Sequence, residues 1–88
     1  MLESKIEAAF VKRVKELGGV AEKYTSPGSR AVPDRLVMFP GGKILFVELK
    51  APGKKPTPLQ LRDHDKRRAL GFTVLVIDSL EAVRAFSA

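Results

Sequence analysis

Pro33-Asp34 stands just before one extended segment, and Glu48-Leu49-Lys50 closes the next. Between them lies Pro40-Gly41-Gly42, a strong hairpin signal. In an antiparallel pair these two ends lie side by side. A three-residue loop pairs Phe39 with Lys43 and sets Asp34 opposite Glu48, so that both point to one face. Glu48 and Lys50, two residues apart, share that face. A two-residue loop would set Asp34 opposite Leu49 and spoil the alternation, so the chemistry carries a register prediction. Two carboxylates so placed repel each other. Lys50 relieves this only in part, because it sits on the same strand. A hard divalent ion with oxygen ligands is the better match, and magnesium is the usual choice where substrate phosphates complete the shell. Such an ion polarises a phosphodiester and lowers the pKa of a water. Lys50 would then orient that water or stabilise the pentacovalent charge. The plain alternative is a surface ion-pair cluster at two strand ends.

The elements that must position these residues follow from periodicity. Residues 3–17 read as an amphipathic helix, with Leu2, Ile6, Ala9, Phe10, Val14 and Leu17 at three- and four-residue spacing. Gly18-Gly19 stops it. Val20–Thr25 reads as a short strand and Ser26–Val32 as a loop. Arg35–Phe39 and Lys43–Lys50 are the hairpin strands. Ile44-Leu45-Phe46-Val47 is apolar on both faces, so that strand is expected to be central and covered on both sides. Ala51–Pro58, with three prolines and two lysines, is a loop. Pro58–Leu70 is a helix ended by Gly71, and Thr73–Ile77 is a buried strand. Ser79 caps a last helix with Ala82, Val83 and Phe86 inward. The order is αβββαβα, which predicts an α/β fold: a mixed sheet of about four strands flanked by helices.

Composition bounds the rest. The chain has 88 residues, 44% hydrophobic and 30% charged, which suits one globular domain over 1–88 rather than disorder. With no cysteine, disulfides, thiolate zinc sites and cysteine nucleophiles are excluded. A single histidine argues against a His-rich metal site or a Ser-His-Asp triad. No apolar run approaches the roughly 20 residues that span a bilayer. Met1-Leu2-Glu3-Ser4 lacks the basic start of a signal peptide, so none is expected. The net charge of +6 favours a polyanionic partner, nucleic acid ahead of a membrane surface. Eight basic and three acidic residues fall within 43–68, which concentrates the excess there.

Pro33-Asp34 followed across a hairpin by Glu48-Leu49-Lys50 resembles the PD-(D/E)xK nuclease pattern. The fuller string is similar to the VRR-NUC (virus-type replication-repair nuclease) family. The matching segments are Lys23-Tyr24-Thr25-Ser26-Pro27-Gly28, Val32-Pro33-Asp34-Arg35, Phe46 through Gly53, Leu59-Gln60 and Gly71-Phe72. PD…ExK alone is degenerate; the ordered string is specific and covers nearly the whole chain. The resemblance implies a restriction-endonuclease-like core and a small metal-dependent DNA endonuclease of phage or bacterial type. Some members resemble Holliday-junction resolvases and act as dimers. It therefore also implies DNA as partner, with branched DNA included, a homodimer, Mg²⁺ with Mn²⁺ as substitute, and the cytoplasm of a bacterial or phage-infected cell.

Residue by residue, the resemblance makes Asp34 and Glu48 the metal-binding carboxylates and Lys50 the catalytic lysine. The backbone oxygen of Leu49 becomes a further metal ligand. Glu7 matches the helix-borne acidic residue and Gln60 the glutamine that opens the helix after the strand. Ala31 departs from the pattern, where glycine is expected before Val-Pro-Asp, but removes no ligand. Other readings stand beside these. Ser4-x-x-Glu7 is a capping-box pattern, and Glu3 competes with Glu7 for the site. Thr57-Pro58-Leu59-Gln60 is a capping box too. Asp63-His64-Asp65 cannot converge on one ion, because consecutive helical residues diverge by about 100°; His64 reads as solvated or helix-packing. Lys66-Arg67-Arg68 on the helix and Lys54-Lys55 before it are placed to track a phosphate backbone, or form a solvated face. Ser29 and Arg30 lie in a small-residue loop whose amides suit a phosphate. A binding module that keeps the nuclease fold, and an RNase, are the alternatives to a DNA endonuclease.

Overall fold

Seven elements appear in the computed structural model, which describes all residues from Met1 to Ala88. They are α1 (Glu3–Glu16), β1 (Val20–Lys23), β2 (Arg35–Phe39), β3 (Lys43–Leu49), α2 (Pro58–Ala69), β4 (Thr73–Ile77) and α3 (Leu80–Ala85). The order is the one expected. The strands form a single sheet in the order β1-β2-β3-β4. β1 and β2, and β2 and β3, pair antiparallel, while β3 and β4 run parallel with α2 in the connection.

The hairpin takes the three-residue loop. Phe39 pairs with Lys43 and Arg35 with Val47. Gly41 and Gly42 both adopt positive φ, at 90° and 82°, which side chains other than glycine rarely tolerate. Continued by one residue, this register sets Asp34 against Glu48. Ala31 takes no positive φ, so the methyl in place of glycine brings no backbone strain.

Alternation along β3 divides the molecule. Leu45, Val47 and Leu49 face one side and join Ile6, Phe10 and Val14 of α1, Val37, Ile77, Val83 and Phe86 in the core. Phe10 and Phe86 meet edge to face with ring centroids 5.2 Å apart. Phe46 and Glu48 turn the other way, toward α2. β3 is central as expected, and Leu45 through Leu49 are all buried. Ile44 departs from the expected cover: it is 42% exposed, because α2 packs on β4 and leaves that corner of the sheet open. Gly18-Gly19 closes α1 at a tight spot. A Cβ on Gly19 would lie 2.5 Å from the Phe39 ring. α1 itself starts at Leu2 with no side-chain cap, so the Ser4-x-x-Glu7 capping box does not form.

Candidate active site

The carboxylates meet where β2 begins and β3 ends. Asp34 Oδ2 accepts a hydrogen bond from the Leu49 N–H at 2.7 Å. The next amide, Lys50 N–H, turns the other way and donates to the Ile77 carbonyl at 3.0 Å. In a strand the N–H and C=O of one residue point to the same side, so the Leu49 carbonyl also faces the Asp34 end. Glu48 is 2% exposed. Burial, then the charge of Asp34 and a hydrogen bond with it, push the Glu48 carboxyl up to about 8, while Lys50 pulls the other way.

Glu48 Oε1 is buried without a hydrogen-bond partner. Two carboxylates, one of them with a buried and unpartnered oxygen, and one backbone carbonyl are a hard-oxygen donor set, so the residues fit a divalent ion of the magnesium type. No three Asp, Glu or His side chains cluster as a complete cage. Water and substrate phosphate would have to complete the shell, as magnesium usually requires.

Gln60 joins the site because it is also a helix cap. Thr57 N–H donates to Gln60 Oε1 at 2.9 Å, and Gln60 N–H donates to Thr57 Oγ1 at 3.2 Å. With its oxygen so engaged, the Gln60 amide presents its Nε2 to Glu48 Oε2, 3.4 Å away. The capping reading holds, and the same side chain reaches Glu48. His64, one turn further along α2, was readable only as a solvated or packing residue, and it is not solvated. It is fully buried, with Nε2 3.5 Å from Glu48 Oε1. Burial first, then Arg68, lowers its pKa and keeps the ring neutral. Its four-residue spacing from Gln60 is the signal that could have found it.

Glu7 is a correction. Its Oε2 accepts from Arg35 Nε and lies as close to Arg35 Nη2, both at 2.9 Å. The reason is alternation: Arg35 faces α1, whereas Asp34, one residue earlier, faces α2. Glu7 thus ties α1 to the start of β2 instead of meeting Glu48. Arg35 Nη1 also donates to the Ala21 carbonyl at 3.1 Å. The helix carboxylate whose charge reaches Glu48 is Glu3.

The basic residues divide as well. Lys54, Lys55 and Lys66 are exposed and form no ion pair, and Arg30 is likewise exposed and unpaired. Arg30 and Ser29 line a groove of about 410 Å³ that reaches Thr57, Leu59 and Gln60. The Ser29 Oγ accepts from the Ala31 N–H at 3.3 Å. Arg67 does not belong with the phosphate-tracking set. Asp63 holds it at 2.8 Å, and its guanidinium lies over Phe46 at 4.6 Å and Tyr24 at 5.2 Å. Arg68 is partly withdrawn too, donating to the Val74 carbonyl at 2.7 Å and lying 3.7 Å from Asp65.

A mixed four-stranded sheet with flanking helices, carrying Asp34, Glu48 and Lys50 at the ends of its middle strands, defines an α/β protein of the nuclease-fold class. Comparison with known proteins narrows this. No family model matches the chain. It is 58% identical over 77 residues to "Putative nuclease p44" of Acyrthosiphon pisum secondary endosymbiont phage 1, covering 88% of this chain and 83% of that protein. A solved structure described as a VRR_NUC domain superposes with a TM-score of 0.88 at 37% identity, covering 94% of this chain and 90% of the other. The chain belongs to the VRR-NUC family.

Proposed function

We propose that this protein is a metal-dependent endodeoxyribonuclease, acting on branched DNA as a homodimer. The observation that carries the reading is the Asp34–Glu48 pair, in which Glu48 is buried and one of its oxygens has no partner. A purely structural site has no reason to keep two carboxylates in repulsion. Asp34, Glu48 and the Leu49 carbonyl would hold Mg²⁺, with Mn²⁺ as substitute. Bound there, the ion would supply Lewis-acid polarisation of the phosphodiester and a water of lowered pKa. The Leu49 amide fixes one oxygen of Asp34, and Gln60 fixes one of Glu48. Lys50, on the same face as Glu48, orients the attacking water or stabilises charge on phosphorus. Arg30, Lys54, Lys55 and Lys66 are free to meet the DNA backbone.

The test is cleavage of a labelled four-way junction beside linear duplex, single strand and RNA. It is run with Mg²⁺, Mn²⁺, Ca²⁺ and EDTA. Metal-dependent cutting that favours the junction is expected. Asp34→Ala, Glu48→Ala and Lys50→Ala should each reduce cutting on the order of a hundredfold or more, with the fold retained. Full activity in any of the three would sink the assignment. Binding without cutting under every metal would turn the reading toward a nucleic-acid-binding module, and cutting of RNA alone toward an RNase.

A further inference from the structure

His64 is the only buried residue of α2. A helix usually buries an apolar side chain at such a position. It buries an imidazole instead, and both ring nitrogens lack a hydrogen-bond partner. So does Glu48 Oε1. Buried polar atoms without partners are rare and costly. These three are the only such side-chain atoms in the protein, and they lie at one place. The gap between His64 Nε2 and Glu48 Oε1 is 3.5 Å, a few tenths of an ångström beyond a hydrogen bond. A small closure would satisfy two of the three at once.

We propose that His64 is a positioning residue for the carboxylate site: its Nε2–H donates to Glu48 Oε1 while Gln60 Nε2–H donates to Oε2. The inference rests on the metal-nuclease reading of Asp34 and Glu48. Residues 60 and 64 are one turn apart and point the same way off α2, so one helix face supplies two donors to one carboxylate. A carboxylate has about four lone-pair sites, so both oxygens keep capacity for a cation. Two donors on a single ligand fix its rotamer and leave a divalent ion less ordering to impose. Outer partners of this kind typically change metal affinity by 10- to 100-fold. The neutral ring matches the role, since it donates from one nitrogen and brings no second positive charge to the ion.

The measurement is Mn²⁺ binding to the full chain, by electron paramagnetic resonance of free Mn²⁺, for wild type, His64→Leu, His64→Gln and Glu48→Ala. Circular dichroism and Tm report the fold of each. His64→Leu should stay folded and lose affinity 10- to 100-fold. His64→Gln, which keeps a donor, should recover part of it. Cleavage by His64→Leu should fall at limiting Mn²⁺ and return toward wild type at saturating Mn²⁺. Wild-type affinity in His64→Leu, with affinity lost in Glu48→Ala, would overturn the role of His64 alone. Unchanged affinity in Glu48→Ala would overturn the carboxylate site beneath it. Should His64→Leu not fold, the wild type decides the matter. His64 is the single histidine, so its ¹⁵N shifts are unambiguous. With Mg²⁺ bound, the proton must reside on Nε2; the Nδ1–H tautomer would overturn the proposal.

Discussion

Glu48 concentrates the energetic problem of this protein in one side chain. In water a glutamate loses its proton near pH 4.5; in the metal-free fold, burial and Asp34 hold it to about 8. Between those values the folded chain binds more protons than the unfolded one, so stability falls as pH rises. The contribution is complete below the unfolded pKa and gone above the folded one. Metal-free Tm should therefore drop by several degrees between pH 5 and pH 9, since 1 kcal/mol moves Tm by about 4–8 °C in a domain this small. Glu48→Gln should flatten that slope relative to wild type. Mg²⁺ should raise Tm most at high pH, where no proton competes with it. Thermal melts across pH, with and without Mg²⁺, check all three. A wild-type slope in Glu48→Gln would mean that Glu48 does not bear the strain.

At the scale of elements, α2 links stability to the site through its first turn. Thr57 caps the helix, and Gln60 completes the cap while it aims its amide at Glu48. Thr57→Ala should cost about 1 kcal/mol of stability, the usual loss for such a cap. It should also lower kcat/KM, because Gln60 is no longer held in one orientation. Melts and steady-state cleavage of the same variant test the coupling; a stability loss with unchanged kcat/KM would separate cap from site. The cap and the hairpin register were readable because both depend on neighbours close in sequence. Phe39 and Lys43 are joined by three residues, and alternation then carries the register back to Asp34 and Glu48. Glu7 was not readable in the same way. Its place at the edge of an apolar stripe says that it is near the sheet, but not on which face of it. Arg67 failed for a related reason. Asp63 lies four residues back on the same helix, but Phe46 comes from β3 and Tyr24 from the loop after β1, and only the folded chain brings those two rings to the guanidinium. The burial of His64 likewise follows from α2 packing a single residue inward, which its weak apolar stripe did not announce.

Across the whole molecule, a net charge of +6 says that the surface attracts polyanions but not which cations meet them. Geometry now divides the basic residues into two groups. Lys54 and Lys55 stand free in the loop between the ExK strand and α2, next to the carboxylates in sequence. Arg67 is enclosed by two rings and a carboxylate. Salt dependence separates the two, because each phosphate contact adds about 0.9 to the slope of log affinity against log salt. In a Glu48→Ala background, chosen because the proposed role of Glu48 makes it deficient in cleavage, removing both lysines should lower that slope by about two and leave Tm nearly unchanged. Arg67→Ala should do the reverse: the slope stays, while stability falls by about 1–2 kcal/mol from the lost cation–π contact and ion pair. Fluorescence anisotropy across a salt series, paired with melts, reads both. A reduced slope in Arg67→Ala with no change in Tm would mean that the guanidinium leaves its aromatic seat to bind DNA. α2 would then be a moving part of the interface and not the fixed wall against which Glu48 is held.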